Sequence, residues 1–276
     1  MKTTLIYPGI AGRGFNCLSQ GMDAGWVSHG LSSISASARA EGFDIDLIDL
    51  RALQSWDHFR EEFQKRSPDV VGITMMSVDY NPVKRCLSII KEINPDCVTI
   101  LGGAHVTLAL EDSLRIPNVD YLITNEGEIT FPRLLRQIEQ GARPEQKVLR
   151  GETPDLDRIP FADRDLFLGE WRKWGYSLNS PEVPFVKELP GPFLTIIAGR
   201  GCAYRCSFCK PGEDYIFGKR VRRRSVDNAV SYTHLRAHET VLDLVCRLLL
   251  EKKKDTQTTT SYRYLHTSRD TAGTLH

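Results

Sequence analysis

The chain has 276 residues, of which 41% are hydrophobic, and a formal net charge of +1. This composition is typical of a soluble globular protein, and the balanced charge gives no whole-chain signal for nucleic acid or an anionic membrane. No apolar run approaches the roughly 20 residues of a membrane span, and Pro8 and Gly9 interrupt the first run too early for a signal peptide. We therefore expect a cytoplasmic protein whose seven cysteines are free thiols or metal ligands.

The first half of the chain alternates apolar runs with amphipathic stretches. The apolar runs are residues 3–7, 44–50, 70–75, 98–101 and 121–124. The amphipathic stretches are residues 32–41, 56–65, 83–93 and 130–139. In the second stretch Trp56, Phe59 and Phe63 recur at helical spacing. Alternating strands and helices predict an α/β fold, with a doubly wound parallel sheet over residues 1–140.

Sheets of this kind bind ligands beyond the carboxyl ends of their strands. The predicted ends are residues 8–14, 74–80, 102–105 and 125–128, and three of these four contain glycine. The residues singled out at the last three ends are Thr74, Ser77, Gly102, Gly103, Glu126 and Gly127. A glycine lets a ligand approach the backbone closely. We expect a ligand site at this edge of the sheet.

Residues 141–192 have a different character, with recurrent prolines and scattered charges. They predict an irregular linker with one short helix near residues 163–174. Residues 193–198, FLTIIA, then predict a new buried strand that runs into Gly199 and Gly201. A second domain is expected to begin at this strand.

Three cysteines follow this strand with the spacing C-x3-C-x2-C: Cys202, Cys206 and Cys209. Three thiolates so close together on a loop can converge on one face of an iron–sulfur cluster. A zinc site and inert thiols are the alternatives, but zinc normally takes a fourth Cys or His nearby. Cys86 and Cys97 are interpreted as core residues, and Cys17 lies in the first loop, where it could be exposed.

The segment GRGCAYRCSFC resembles the radical S-adenosylmethionine (SAM) superfamily, whose signature is C-x3-C-x-aromatic-C after the first strand of a barrel. Phe208 stands at the aromatic position, as a cofactor-binding residue. The resemblance implies that Cys202, Cys206 and Cys209 ligate three irons of a [4Fe-4S] cluster, whose fourth iron chelates SAM. Electron transfer from the cluster then gives a 5′-deoxyadenosyl radical. An electron donor such as flavodoxin or ferredoxin is the implied partner.

The N-terminal part resembles the cobalamin-binding, Rossmann-like domain that precedes the barrel in one branch of that superfamily, which includes methyltransferases and ring-forming enzymes. The segments that carry this resemblance are ILGGAHVT at 100–107, DYLITNEGE at 120–128 and IPFADRDL at 159–166. Asn125 replaces the first glycine of the usual G-E-G-E-like turn. The resemblance implies that Gly102 and Gly103 let the nucleotide tail of cobalamin lie against bare backbone, with Thr74 and Ser77 offering hydroxyls.

The cobalt-ligating motif D-x-H-x-x-G is absent, and the surroundings of His29 do not match it. This branch commonly binds cobalamin without a protein histidine, so the cofactor remains implied. The alternative is a degenerate domain that keeps the fold without binding. His105 is either a cofactor contact or a hydrogen-bonded structural residue.

The basic run at residues 219–224 looks like a nucleic-acid patch, but a solvated structural segment is the preferred interpretation. We expect neither a nucleic-acid nor a membrane partner, only a small-molecule substrate.

Residues 229–276 resemble the conceptual translation of a sequencing-library adapter, and a real amphipathic helix is the alternative. Residues 193–228 would then be a truncated first βα unit of a radical SAM barrel. The expected function is that of a fragment of a cobalamin-using radical SAM enzyme for methyl transfer or C–C or ring formation, inactive alone. The alternatives are a cobalamin-binding module without catalysis and a radical SAM enzyme that has lost cobalamin.

Overall fold

The computed structural model describes residues 1–12, 14–20, 27–173 and 196–237. Contacts between residues divide the chain into two units, Met1–Ala229 and Val230–His276. The first unit holds the sheet and the cysteine loop. Residues 238–276, most of the predicted adapter-derived tail, lie outside the described part.

The elements follow one another as strands and helices. In chain order they are β1 (Lys2–Tyr7), α1 (His29–Ala40), β2 (Asp44–Asp49), α2 (Trp56–Arg66), β3 (Val70–Thr74), α3 (Tyr80–Ile93), β4 (Val98–Gly102), α4 (Ala104–Leu108), α5 (Leu110–Leu114), β5 (Tyr121–Thr124), α6 (Thr130–Glu139), β6 (Val148–Arg150), α7 (Asp165–Lys173), β7 (Gly199–Arg200), α8 (Lys210–Phe217), β8 (Arg222–Arg223) and α9 (Val226–Ala237). No helix in the described ranges is both long and apolar enough to span a membrane.

Strands β1 to β6 form one parallel sheet in the order β2-β1-β3-β4-β5-β6. The strand order reverses between β1 and β3, and that is where open sheets of this type form a crevice at their carboxyl ends. The α/β prediction is confirmed, and each of the five predicted strands lies within one residue of its predicted bounds at either end.

Successive side chains of a strand point to opposite faces of the sheet. Because the strands here are continuous apolar runs, both faces of the sheet are apolar. In β1, Leu5 belongs to a core formed with α1, α6 and α7, whereas Ile6 belongs to a core formed with α2 and α3. In β3, Val70 belongs to the same core as Leu5, and Val71 belongs to the same core as Ile6. Both faces are therefore covered, and the ends of the strands are left for a ligand.

Serines fix where two of the helices begin. The Ser28 hydroxyl accepts a hydrogen bond from the Leu31 amide at 3.4 Å, and the Ser55 hydroxyl accepts one from the His58 amide at 3.2 Å. Each satisfies an amide that has no partner inside its helix. Pro82 lies in the first turn of α3, where its missing amide costs nothing.

Two parts of the sequence interpretation need correction. The irregular stretch predicted after residue 140 contains β6, which pairs with β5; this three-residue strand is too short to show a pattern of its own. The buried strand predicted over residues 193–198 is wrong for residues 196–198, which have no regular structure; residues 193–195 lie outside the described part. The Ile196 and Ile197 side chains are 39% and 48% exposed. Among the described strands, only β7 and β8 pair near this point, and β7 begins after these two residues, so no strand covers them.

Helix α7, which matches the predicted helix near residues 163–174, is joined to the sheet through buried polar groups. Asp49 accepts hydrogen bonds from the Arg51 guanidinium at 2.7 and 2.9 Å and from the Trp171 indole at 2.9 Å. The Arg51 guanidinium also lies over the Tyr7 ring, 4.3 Å from its centroid. Burial, the largest single effect, lowers the pKa of Arg51, but the charge and hydrogen bonds of Asp49, with smaller contributions from Tyr7 and Cys17, together outweigh it and the pKa is raised.

We predict that Asp49→Asn lowers the free energy of unfolding by about 3 kcal/mol, since the buried guanidinium loses the opposite charge of Asp49. Chemical denaturation of the purified chain measures this. The matched control is Glu92→Gln at the exposed ion pair with Arg60, which should change little. Equal effects of the two substitutions would contradict the role given to the buried pair.

Candidate functional site

A cavity of about 600 Å³ lies at the carboxyl ends of β1, β3, β4 and β5, between α1 and α6. Its walls are mainly apolar and include Leu5, Ile34, Ile100, Ile123 and Phe131. A largely apolar cavity with a few polar groups at its mouth is typical of a cofactor site.

Glycines keep this cavity open. A Cβ on Gly72, in the middle of β3, would come within 2.8 Å of the Leu5 side chain and 3.1 Å of the Phe131 ring. Gly103 has a φ of +103°, and a Cβ there would lie 2.8 Å from the backbone of Met75. At Gly102 a Cβ would meet only the Ile123 carbonyl oxygen, at 3.6 Å. The predicted pair Gly102 and Gly103 thus lines the cavity with bare backbone.

The two predicted hydroxyls have different positions. Thr74 lines the cavity, whereas Ser77 is not among the residues described as lining it. The Ser77 Oγ lies 2.9 Å from Nδ1 of His105, and Nε2 of the same ring lies 3.1 Å from the Asp112 carboxylate. Both ring nitrogens of this buried histidine therefore have protein partners, which favours the structural interpretation of His105.

The turn at residues 125–128 carries the predicted residues Glu126 and Gly127, and all four of its residues line the cavity. Glu126 and Glu128 are buried, and Arg200 pairs with both of them. Arg222 pairs with Glu126 and also donates to the Pro154 carbonyl at 3.1 Å. Burial, the largest single effect, lowers the pKa of Arg200, but the charges and hydrogen bonds of Glu128 and Glu126 together outweigh it and the pKa is raised.

The cysteine loop lies between β7 and α8. Cys202 is half-buried, and Cys206 and Cys209 are exposed. The Lys210 ammonium donates to the Cys202 carbonyl at 2.6 Å and pairs with Asp214 at 2.8 Å, so one lysine closes the loop. Over the described ranges no group of three Cys, His, Asp or Glu side chains is arranged as a metal site.

Phe208, the predicted aromatic cofactor contact, is 90% exposed. It lies on the cysteine loop, and its role stays a prediction.

Helix α8 packs against the sheet edge through Asn125. The Asn125 side-chain amide donates to the carbonyls of Tyr215 and Ile216, at 2.9 and 3.0 Å. Its backbone amide donates to the Thr107 hydroxyl at 2.8 Å. Because Ile216, Phe217 and Arg200 line the cavity, the segment that carries the cysteines forms part of its wall.

Arg222 and Arg224 of the basic run make structural contacts, whereas Lys219, Arg220 and Arg223 are exposed. Besides the pairs of Arg222, Arg224 donates to the Leu156 carbonyl at 2.5 Å and to the Asn228 side chain at 2.9 Å. The sequence interpretation missed Arg200, Arg222 and Asn125 as site residues. The sequence did contain a signal for these ion pairs: two acidic residues in the turn, and arginines both before and after the cysteines.

The remaining described cysteines are buried in the core. This corrects the suggestion that Cys17 is exposed, since it is 1% exposed. Burial raises the pKa of Cys86, and it raises that of Cys97 to about 12. Both thiols are protonated at neutral pH and fill space, as interpreted.

The groups present fit a cobalamin and an iron–sulfur cluster. Bare backbone at Gly102 and Gly103 and mainly apolar walls suit an extended organic tail. Cys202, Cys206 and Cys209 are three thiols on one loop, and thiolates are the donors that iron–sulfur clusters take.

Comparison with known proteins gives a consistent result. Residues 24–135 match the family model of the B12 binding domain. The chain is 30% identical over 230 residues to the anaerobic magnesium-protoporphyrin IX monomethyl ester cyclase of Rubrivivax gelatinosus, covering 76% of this chain and 38% of the cyclase. It is 28% identical over 218 residues to an uncharacterized methyltransferase of Pyrococcus horikoshii, covering 73% of this chain and 44% of that protein. The chain thus spans less than half the length of these relatives.

Two solved structures share the fold. The radical SAM methyltransferase TsrM of Kitasatospora setae, with cobalamin and a [4Fe-4S] cluster bound, superposes with a TM-score of 0.57 at 17% identity, over 86% of this chain and 46% of its own. The cobalamin-dependent SAM radical enzyme OxsB with aqua-cobalamin bound gives 0.59 at 18% identity, over 84% of this chain and 31% of its own. Residues 24–135 thus match the B12 binding domain, the chain is similar in sequence to a cyclase and to a methyltransferase, and it shares its fold with two solved cobalamin-binding enzymes.

Proposed function

We propose that this chain binds cobalamin in the cavity at the sheet edge and holds a [4Fe-4S] cluster on Cys202, Cys206 and Cys209 for reductive cleavage of SAM. One observation carries the proposal. The segment that bears the three cysteines also supplies Arg200, Ile216 and Phe217 to the wall of the cavity. Two cofactor sites that share a wall are suited to consecutive steps on one substrate.

The cavity favours cobalamin for physical reasons. Its apolar walls bury an aromatic base, and the bare backbone of Gly102 and Gly103 permits close approach. His29 lines the cavity at the start of α1, outside any D-x-H-x-x-G motif. We therefore assign recognition of the cofactor to the shape of the cavity.

When bound, the cluster would supply the electron that cleaves SAM, and cobalamin would serve in methyl transfer or in C–C or ring formation on a small-molecule substrate. The residues of this chain orient the two groups. The Lys210 bond to the Cys202 carbonyl holds the ends of the loop together, and Arg200 fixes the strand before it. A flavodoxin or ferredoxin in the cytoplasm is the proposed electron donor, with no role for nucleic acid or membrane.

A cobalamin-binding module without catalysis is the second candidate. The match of residues 24–135 to the B12 binding domain favours it, since that family model describes a binding domain alone. The cavity is the same in both candidates, so cobalamin binding and cluster assembly must be tested separately.

We predict that Gly102→Leu weakens cobalamin binding at least about tenfold, because the leucine side chain would occupy part of the cavity. Equilibrium titration followed by the visible spectrum of cobalamin measures the affinity. The fold should persist, since a Cβ at this position meets only the Ile123 carbonyl oxygen, at 3.6 Å.

Gly169→Leu is the matched control, because a Cβ at Gly169 of α7 has no heavy atom within 4 Å and Gly169 does not line the cavity. It should bind cobalamin like the wild type. A wild-type chain that retains no cobalamin would support the degenerate-domain alternative and refute the proposal for the cavity.

We predict that anaerobic reconstitution with iron and sulfide gives the wild-type chain the broad visible absorbance of an iron–sulfur cluster. Cys206→Ala should lose most of it, since a loop with two thiols cannot supply three ligands. The matched control is Ser207→Ala, the adjacent exposed position, which should reconstitute normally.

Two results would argue for the module without catalysis. One is the absence of cluster absorbance in the wild type. The other is equal absorbance in the wild type and in Cys206→Ala, which would place the iron elsewhere.

A further inference from the structure

The turn at residues 125–128 contacts the cysteine segment on both sides of the loop: at β7, before the loop, and at the last turn of α8, after it. The turn follows β5 at the carboxyl edge of the sheet, and its four residues line the cavity. The two contacts are of different kinds.

Charge holds the end that leads into the loop. Arg200, two residues before Cys202, pairs with Glu126 and Glu128, whose side chains are 3% and 5% exposed. β8 pairs with β7 through Arg200 and Arg222, and Arg222 adds a second guanidinium to Glu126. Two buried carboxylates are thus neutralised by the strands around the loop, and separating them would leave buried charge uncompensated.

An amide holds the last turn of α8, the helix that follows the loop. α8 begins at Lys210, directly after Cys209, and its Tyr215 and Ile216 carbonyls accept from the Asn125 side chain. Carbonyls in the last turn of a helix have no partner within the helix. The Asn125 amide therefore satisfies groups that otherwise depend on water.

The residue type at position 125 is suited to this contact. Its φ is +58°, in the left-handed region, where asparagine and glycine are the most readily accommodated residues. Glycine would keep the backbone but offer no donor. Aspartate would keep the shape but turn a carboxylate toward two carbonyl oxygens.

We propose that Asn125 is a positioning residue that fixes the cysteine segment on the wall of the cobalamin cavity, so that filling the cavity orders the cysteine loop. The coupling rests on the proposed function, because it takes cobalamin as the occupant. The contact of Asn125 with α8 stands without any cofactor. If a ligand in the cavity orders the cysteine segment that forms part of its wall, the order of that segment depends on whether the cavity is occupied.

Hydrogen exchange of the full 276-residue chain, with and without aquacobalamin, tests the proposal. In the free chain Asn125→Asp should speed exchange of the α8 amides about tenfold, the equivalent of losing two neutral hydrogen bonds. Asn125→Gly should act in the same direction without adding charge, and it serves if the aspartate variant fails to fold. Asn118→Asp is the matched control, since Asn118 is exposed with a φ of +65°.

Aquacobalamin should slow exchange at residues 202–217 of the wild type and should do so much less in both Asn125 variants. Because Asn125 lines the cavity, wild type and variants are compared at aquacobalamin concentrations that give equal protection of α1, a helix that also lines the cavity and so reports occupancy.

Three results decide between the claims. Unchanged α8 exchange in both Asn125 variants would overturn the positioning role. Cobalamin binding to the wild type without protection of residues 202–217 would overturn the coupling and leave the proposed function intact. A wild type that binds no cobalamin would contradict the proposed function and the coupling, while exchange in the free chain still decides whether Asn125 holds α8.

Discussion

The structure around the site depends on the buried ion pairs between Glu126 and Glu128 on one side and Arg200 and Arg222 on the other. Carboxylates this deeply buried are tolerated only when opposite charges are close and hydrogen-bonded. The arginines lie on β7, which directly precedes the cysteine loop, and on β8, which pairs with β7. Charge neutralisation therefore fixes where the loop lies relative to the sheet.

A second constraint is the coverage of the parallel sheet. Helices pack on both faces, so the open surface is the carboxyl edge, where the strand order reverses. Gly72 and Gly103 lie at positions where a Cβ would collide with neighbours, and Gly102 leaves its wall of the cavity bare. The same edge thus provides both an apolar cavity and a turn able to hold a neighbouring segment.

The sheet was predictable because its information is local. Runs such as residues 70–75 are apolar on both faces, and the helices between them repeat at 3.6 residues, so each element shows its own pattern. β6 was not predictable, since three residues carry no period and its pairing with β5 is a tertiary contact. The strand predicted over residues 196–198 was wrong for the opposite reason. The apolar pattern of these residues is strong, but no neighbouring strand among the described residues covers them.

Some residues of the candidate site could also be predicted from the sequence, and others could not. Gly102, Gly103 and Thr74 could be placed at the cavity from their positions after strands. Arg200, Arg222 and Asn125 could not, because their partners lie 74, 96, 90 and 91 residues away along the chain. Ser77 was placed near the correct edge, but its hydroxyl is bonded to His105.

The central claim is that the cavity at the sheet edge, walled in part by the cysteine segment, is the cobalamin site. A crystal structure of the chain with cobalamin tests it most directly. The account predicts the nucleotide tail between Gly102 and Phe131, with Arg200 and Phe217 beside it. Cobalamin bound elsewhere, with this cavity empty or collapsed, would contradict the account.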